Sequence, residues 1–279
     1  MSRSVFAIAA FVATIVVNAP PAAAVHNGPG LDEDEVQCQL RSQYIMGSFA
    51  RRYAKCLLKC ALKSPSRADA AANCPEAAAC SFGPTNTTCR CLLRAREQAV
   101  EGQVGRCSDC PECYAGGSCD TDATGKTNTI ATWAESLFFS GPTPVYCDDA
   151  ASGDGLAPAE AKCQQTTAKA LPFFARAKTL CLRKCRLAEH DGSTPIGSCD
   201  APLSSNPGAQ AAAANCISDA EAKAVLKINN RCDPTTGNPP ECWGGRTASQ
   251  WVDVAEQLVD DGDPSYFCAS PSGAFLEEW

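Results

Sequence analysis

The amino-acid sequence predicts an all-α protein built from two tandem, disulfide-stapled helical modules with long loops. Three observations carry this. The 20 cysteines among 279 residues recur in register between the two halves of the chain. The segments between them follow helical periodicity, and no run sustains the alternation of a half-buried strand.

Export is expected from the first residues. Arg3 supplies a positive start, residues 5–17 are uncharged and apolar, and the stretch closes on Ala22-Ala23-Ala24. An apolar run of that length is a signal peptide and is too short to span a bilayer. Residues 1–24 are therefore read as the signal peptide and 25–35 as an N-terminal tail. All the cysteines lie beyond it, and a dense, even set in an oxidising compartment reads as a disulfide framework. Losing Arg3 from the 24 Lys and Arg leaves 23 against 31 Asp and Glu. That acidic balance excludes nucleic acid as an expected partner, and no second apolar run predicts a membrane span.

The internal repeat is read from the cysteines. Cys38, Cys56, Cys60, Cys74, Cys91 and Cys107 match Cys163, Cys181, Cys185, Cys199, Cys216 and Cys232, each 125 positions later. Cys113 then matches Cys242 and Cys147 matches Cys268 after short length changes. Phe49-Ala50-Arg51 recurs as Phe174-Ala175-Arg176. Module one is thus 36–147 and module two 159–268. The acidic, glycine-containing stretch 148–158 suits a linker, and 269–279 is a C-terminal tail.

Each module opens on a long helix. Cys163, Thr167, Ala170, Phe174, Ala177, Cys181 and Cys185 follow steps of three and four along one face, and Cys38, Phe49, Cys56 and Cys60 repeat the pattern. Gly47 and Pro172 occupy equivalent positions and are expected to kink these helices. A third element covers Cys91 to Cys107 and Cys216 to Cys232, opened in module two by an apparent capping box, Ser218-Asp219-Ala220-Glu221. Short helices carrying Trp133 and Trp251 end each module.

Antiparallel packing of the first and third elements sets an expected ladder: Cys38–Cys107, Cys56–Cys91 and Cys60–Cys74, repeated as Cys163–Cys232, Cys181–Cys216 and Cys185–Cys199. Cys113–Cys147 and Cys242–Cys268 would pin the tryptophan helices. Cys80–Cys89 and Cys110–Cys119, without counterparts in module two, would close local loops. Sixteen residues turn an ideal helix by about 160°, so Cys91 and Cys107 face apart unless they sit at helix ends. A ladder shifted by one turn, with Cys60 taking Cys91 and Cys185 taking Cys216, is the rival. With eight cysteines closing within each module, residues 159–279 are expected to fold alone.

Catalytic furniture is sparse. His26 falls in the tail and His190 in a loop, oxidised cysteines offer no thiolate, and no phosphate-cradling glycine loop is present. Cys107, Cys110 and Cys113 have metal-like spacing but lack a second CxxC pair, and Cys110-Pro111-Glu112-Cys113 lacks the βαβ setting of a redox dithiol. No catalytic residue, cofactor or metal site is assigned. Two weaker sites remain: Asn86-Thr87-Thr88 is a glycosylation sequon, and Arg51, Lys55, Lys59 and Lys63 form a basic row suited to an anionic surface. Phe138, Phe139 and the tail Phe275-Leu276-Glu277-Glu278-Trp279 are apolar segments expected to dock on their own modules.

One stretch carries a resemblance. Cys163-Gln164, Ala168-Lys169-Ala170, Phe173-Phe174, Lys178, Leu180 and Lys184-Cys185, followed by Cys216-Ile217, Asp219-Ala220, Lys223-Ala224, Ile228 and Cys232, resembles cysteine-rich helical repeats of uncharacterised proteins exported by bacteria. That resemblance implies a fold and no activity. The bridged helices are also similar in architecture to plant lipid-transfer proteins, whose adjacent Cys-Cys doublet is absent here. The expected function is a secreted, or periplasmic, non-enzymatic binding or structural protein whose partner is an extracellular protein, a glycan or an apolar ligand. The first alternative is a carrier of apolar ligands lined by Phe49, Phe174, Trp133 and Trp251, and the second is a redox or hydrolytic enzyme.

Overall fold

A computed structural model describes residues 32–61, 74, 87–140, 144–147, 156–195, 199, 209–233 and 239–266. Residues 1–24, expected as a signal peptide, lie outside the described residues with Lys63, Cys80, Asn86, Cys268, residues 269–279 and most of the expected linker.

The protein is all-α, with six α-helices and no strand among the described residues. Module one contributes α1 (Glu33–Ala61), α2 (Thr87–Val104) and α3 (Cys119–Glu135), the last extended by a π turn at Ser136–Ser140. Module two contributes α4 (Pro158–His190), α5 (Ala209–Asn229) and α6 (Ala248–Tyr266), with a 3-10 turn at Glu241–Trp243 before α6. Within each module the first helix packs on the second and third, and across modules α1 lies against α4.

Helix starts explain where two expected boundaries move. Asp32 accepts the Glu35 amide while Glu35 accepts the Asp32 amide, a reciprocal box that opens α1 inside the expected tail. In the first turn of α4 Pro158 occupies a position needing no N–H, and Glu160 accepts the Ala157 amide at 2.7 Å. Ser218-Asp219-Ala220-Glu221 does not open a helix: α5 begins at Ala209, because the alanine-rich run before it propagates helix at no side-chain cost. His190 ends α4 rather than sitting in a loop, and α4 runs through Pro172 without a break.

Bridges lock these packings. The first module has Cys38–Cys107, Cys56–Cys91 and Cys60–Cys74, and the second has Cys163–Cys232, Cys181–Cys216 and Cys185–Cys199, with matching separations of 69, 35 and 14 residues. The orientation difficulty vanishes because Cys107 lies beyond the last residue of α2, as Cys232 lies beyond α5. Cys110–Cys119 closes its local loop. Cys89 and Cys113 are also disulfide-bonded.

The last pair corrects the expectation. Cys147 joins Cys242, with Cα atoms 6.0 Å apart, so neither Cys113–Cys147 nor Cys242–Cys268 forms. The physical reason is the course of Val145-Tyr146-Cys147. Its amides donate to Leu137 and Phe138, folding the segment back along the π turn. Val145 is fully buried, and its carbonyl accepts the Trp243 indole N–H at 3.0 Å. Gln164 adds a hydrogen bond to the Cys147 carbonyl at 2.7 Å. The end of module one is thus seated on module two. One hydrophobic core, from Phe49 and Tyr53 through Phe174 to Trp251, runs across both halves. Independent folding of residues 159–279 does not follow from this arrangement, because Cys242 needs Cys147.

Candidate functional site

Where α1 crosses α4, small residues bring the backbones close. A Cβ built on Gly47 would meet the Thr179 methyl at 3.1 Å, tighter than ordinary packing allows. The crossing spreads the flanking helices and leaves a cleft enclosing about 90 Å³. Its walls are equivalent residues of the two repeats: Met46 and Leu171, Ala50 and Ala175, Ala54 and Thr179 from the long helices. Ala134 and Leu137 of the first module face Ala255 and Leu258 of the second. Ile130, Trp133, Phe138 and Val259 add to the apolar lining, and Arg176 is the one cation among the lining residues. Arg176 is half-buried and has no hydrogen-bond or ion-pair partner among the described residues. A volume of this order accommodates a small ring or short alkyl group.

Of the four side chains expected to line an apolar site, Trp133 alone lines this cleft. Phe49, Phe174 and Trp251 are buried in the core, with Trp251 edge-on to Trp243 at 5.1 Å. Their apolar spacing marks burial, and it cannot distinguish a wall from a packed interior. The small residues Gly47, Ala50 and Ala175 were the better signal. Phe139 stacks on Tyr146 with ring centroids 5.8 Å apart, and Phe138 lies tilted to Tyr146 at 6.1 Å.

Beneath Ser42 lies the arrangement closest to catalytic chemistry. Lys126 is buried, its amine 3.3 Å from the Ser42 hydroxyl and 2.6 Å from Asp122. Burial lowers its pKa to about 8, with the Asp122 carboxylate opposing that shift. The ammonium also sits 3.3 Å from the centre of the Tyr114 ring, and Gln103 bridges Ser42 and Asp122. Ser42 has no exposed surface, so no substrate carbonyl reaches its oxygen. The cluster ties α1, α2 and α3 together.

Module two has a different polar link in the corresponding place to Tyr53. Tyr53 donates to Glu135 in the first repeat. In the second, Lys178 is buried and pairs with Glu256 at 2.8 Å and Asp260 at 2.5 Å. Burial holds the Asp260 carboxyl above its ordinary value despite Lys178, and the same cause raises Glu221.

The sulfurs of Cys38, Cys107, Cys110 and Cys119 lie within 4.8 Å of one another. They belong to two adjacent bridges, and bridged sulfurs lack the thiolate charge a metal needs. Cys110 pairs with Cys119 rather than Cys113, so the CxxC is not a dithiol couple. In the basic row, Lys55 and Lys59 are exposed on α1, whereas Arg51 stacks 4.3 Å from the centre of the Phe173 ring. No described helix is long and apolar enough to cross a membrane. Comparison of the chain with protein-family models, curated proteins and solved structures finds no match in any of the three.

Proposed function

We propose that this is an exported, non-enzymatic binding protein that holds a small apolar ligand in the cleft between its two repeats. The observation that carries the reading is the cleft itself. Small residues from equivalent positions of both repeats keep it open, in a molecule whose core elsewhere is filled by aromatic side chains. The bridge set supports export, since every described cysteine is disulfide-bonded. Bridged helices hold the walls apart, which spares the ligand the cost of ordering them. The resemblance to cysteine-rich helical repeats of exported bacterial proteins fits this reading and adds no activity to it.

Calorimetric titration of the whole protein with toluene, a single small ring, tests the proposal. Saturable binding is expected, competed by short-chain hydrocarbons and lost when Ala50→Phe fills the cleft. Undiminished toluene binding by a folded Ala50→Phe variant would contradict it, as would no binding by the native protein.

A further inference from the structure

A second concavity, of about 520 Å³, lies on the outer side of α4 where α5 packs against it. Its floor is apolar, formed by Ala170, Phe174, Ala177, Ala220 and Ala224. Its edges carry Arg183, Lys184, Lys223 and Lys227, and no carboxylate lines it. Lys184, Lys223 and Lys227 are exposed. Neither Lys184 nor Lys223 has an ion-pair or hydrogen-bond partner among the described residues. Arg183 spends one N–H on the Leu40 carbonyl at 3.1 Å and keeps the rest of its fork.

Phe173 organises one end of this groove. Its ring is half exposed, with the Arg51 guanidinium 4.3 Å and the Lys227 ammonium 5.1 Å from its centre. Two cations held at one ring repel each other unless an anion joins them. From Phe173 to Lys184 is 11 residues of helix, roughly 16 Å at 1.5 Å per residue. The positive charge therefore runs along a channel and is not gathered at one point.

The first repeat closes the same groove. Arg52 stands where the second repeat has Ala177, and Gln98 where it has Lys223. Arg52 donates to Gln98 at 2.9 Å, a strut from α1 to α2 across the equivalent position. Leu58 replaces Arg183 and Gly102 replaces Lys227. The scaffold does not require these cations, since the first repeat keeps only Lys59, at the position of Lys184.

We propose that the α4–α5 groove binds a linear acidic glycan, whose sulfate or carboxylate groups seat along Lys227, Lys223, Lys184 and Arg183. A chain with regularly spaced anions matches an elongated, recessed, acid-free channel, and the apolar floor accepts the C–H faces of sugar rings. A lipid bilayer fits less well, because a planar surface does not enter a groove and cations cover the exposed ring of Phe173. With a net charge of −7 over the whole chain, attraction for an anion comes from local clusters of cations such as this channel.

The test uses the full-length protein and a heparin-derived sulfated hexasaccharide, with affinity read by fluorescence polarisation at low and physiological salt. Binding is expected to weaken as salt rises. Lys223→Gln with Lys227→Gln should lower affinity at least tenfold, whereas Lys55→Gln with Lys59→Gln, outside the groove, should change it less than twofold. Ala177→Arg with Lys223→Gln, which installs the first repeat's strut, should also abolish binding. The proposal fails if the folded groove variants bind like the native protein. It also fails if inorganic sulfate at equal anion concentration displaces the hexasaccharide completely. Capture by phosphatidylserine vesicles with no hexasaccharide binding would overturn it in favour of a membrane surface.

Discussion

Trp243 donates its indole N–H to the carbonyl of Val145 across 98 residues of sequence, and the two repeats are interlocked at that point. The bond flanks the Cys147–Cys242 bridge, on Val145 two positions before Cys147 and on Trp243 next to Cys242. Both groups are buried. Trp243→Phe keeps an aromatic ring but leaves the carbonyl without this donor, and an unpaired buried polar group costs about 1–3 kcal/mol. Urea denaturation should show a stability loss of that size with the bridges intact; an unchanged midpoint would count against the bond.

Gly47 and Thr179 set the α1–α4 crossing. Gly47→Val should destabilise the protein by about 1–3 kcal/mol through overpacking. Thr179→Ala should recover part of the loss, because it removes the methyl that the new side chain meets. A double-mutant cycle with no coupling would show that the helices do not touch there.

Among the described residues, Lys178 is the only cation paired with Glu256 and Asp260. Lys178→Ala should cost about 2 kcal/mol, less than a fully buried pair because both acids are about a third exposed. Lys178→Tyr, which copies Tyr53 facing Glu135, should cost less than the alanine variant. Thermal melts of the two variants decide this, and equal losses would refute the equivalence.

Lys126 gives the stability a pH signature. Its folded pKa is lowered to about 8 by burial, while the unfolded side chain titrates near the ordinary 10.5. Between those values the unfolded state binds more protons, so stability rises with pH across that window and is lost as pH falls through 8. Stability of the native protein relative to Lys126→Met should therefore increase from pH 8 to pH 10 in denaturation curves. Tyr146, whose pKa burial raises, acts in both proteins and cancels in the difference. A difference that stays flat would place Lys126 in water.

Sequence spacing made the helical modules and their ladders legible because a bridge within a helical pair fixes local geometry: 18 residues from Cys38 to Cys56 are five turns. It could not reveal Cys147–Cys242. Equivalent cysteines in two repeats satisfy spacing equally well whether the modules close separately or exchange ends, and only the burial of Val145 against Trp243 selects exchange. The cleft escaped notice for a related reason. Large apolar residues are the usual sequence sign of a ligand wall, whereas the opening is lined by Gly47, Ala50 and Ala175, whose smallness matters only once α1 meets α4. In the basic row, Arg51 alone reaches the groove cations, through Phe173 of the other repeat.

Interlocking of the repeats is tested most directly by peptide mapping of the native protein under non-reducing conditions. The expected map contains a peptide pair joined by Cys147–Cys242, and it places Cys113, also disulfide-bonded, with Cys268 as the reciprocal link. Recovery of Cys113–Cys147 together with Cys242–Cys268 would mean two separately closed modules and would contradict the interlocked fold.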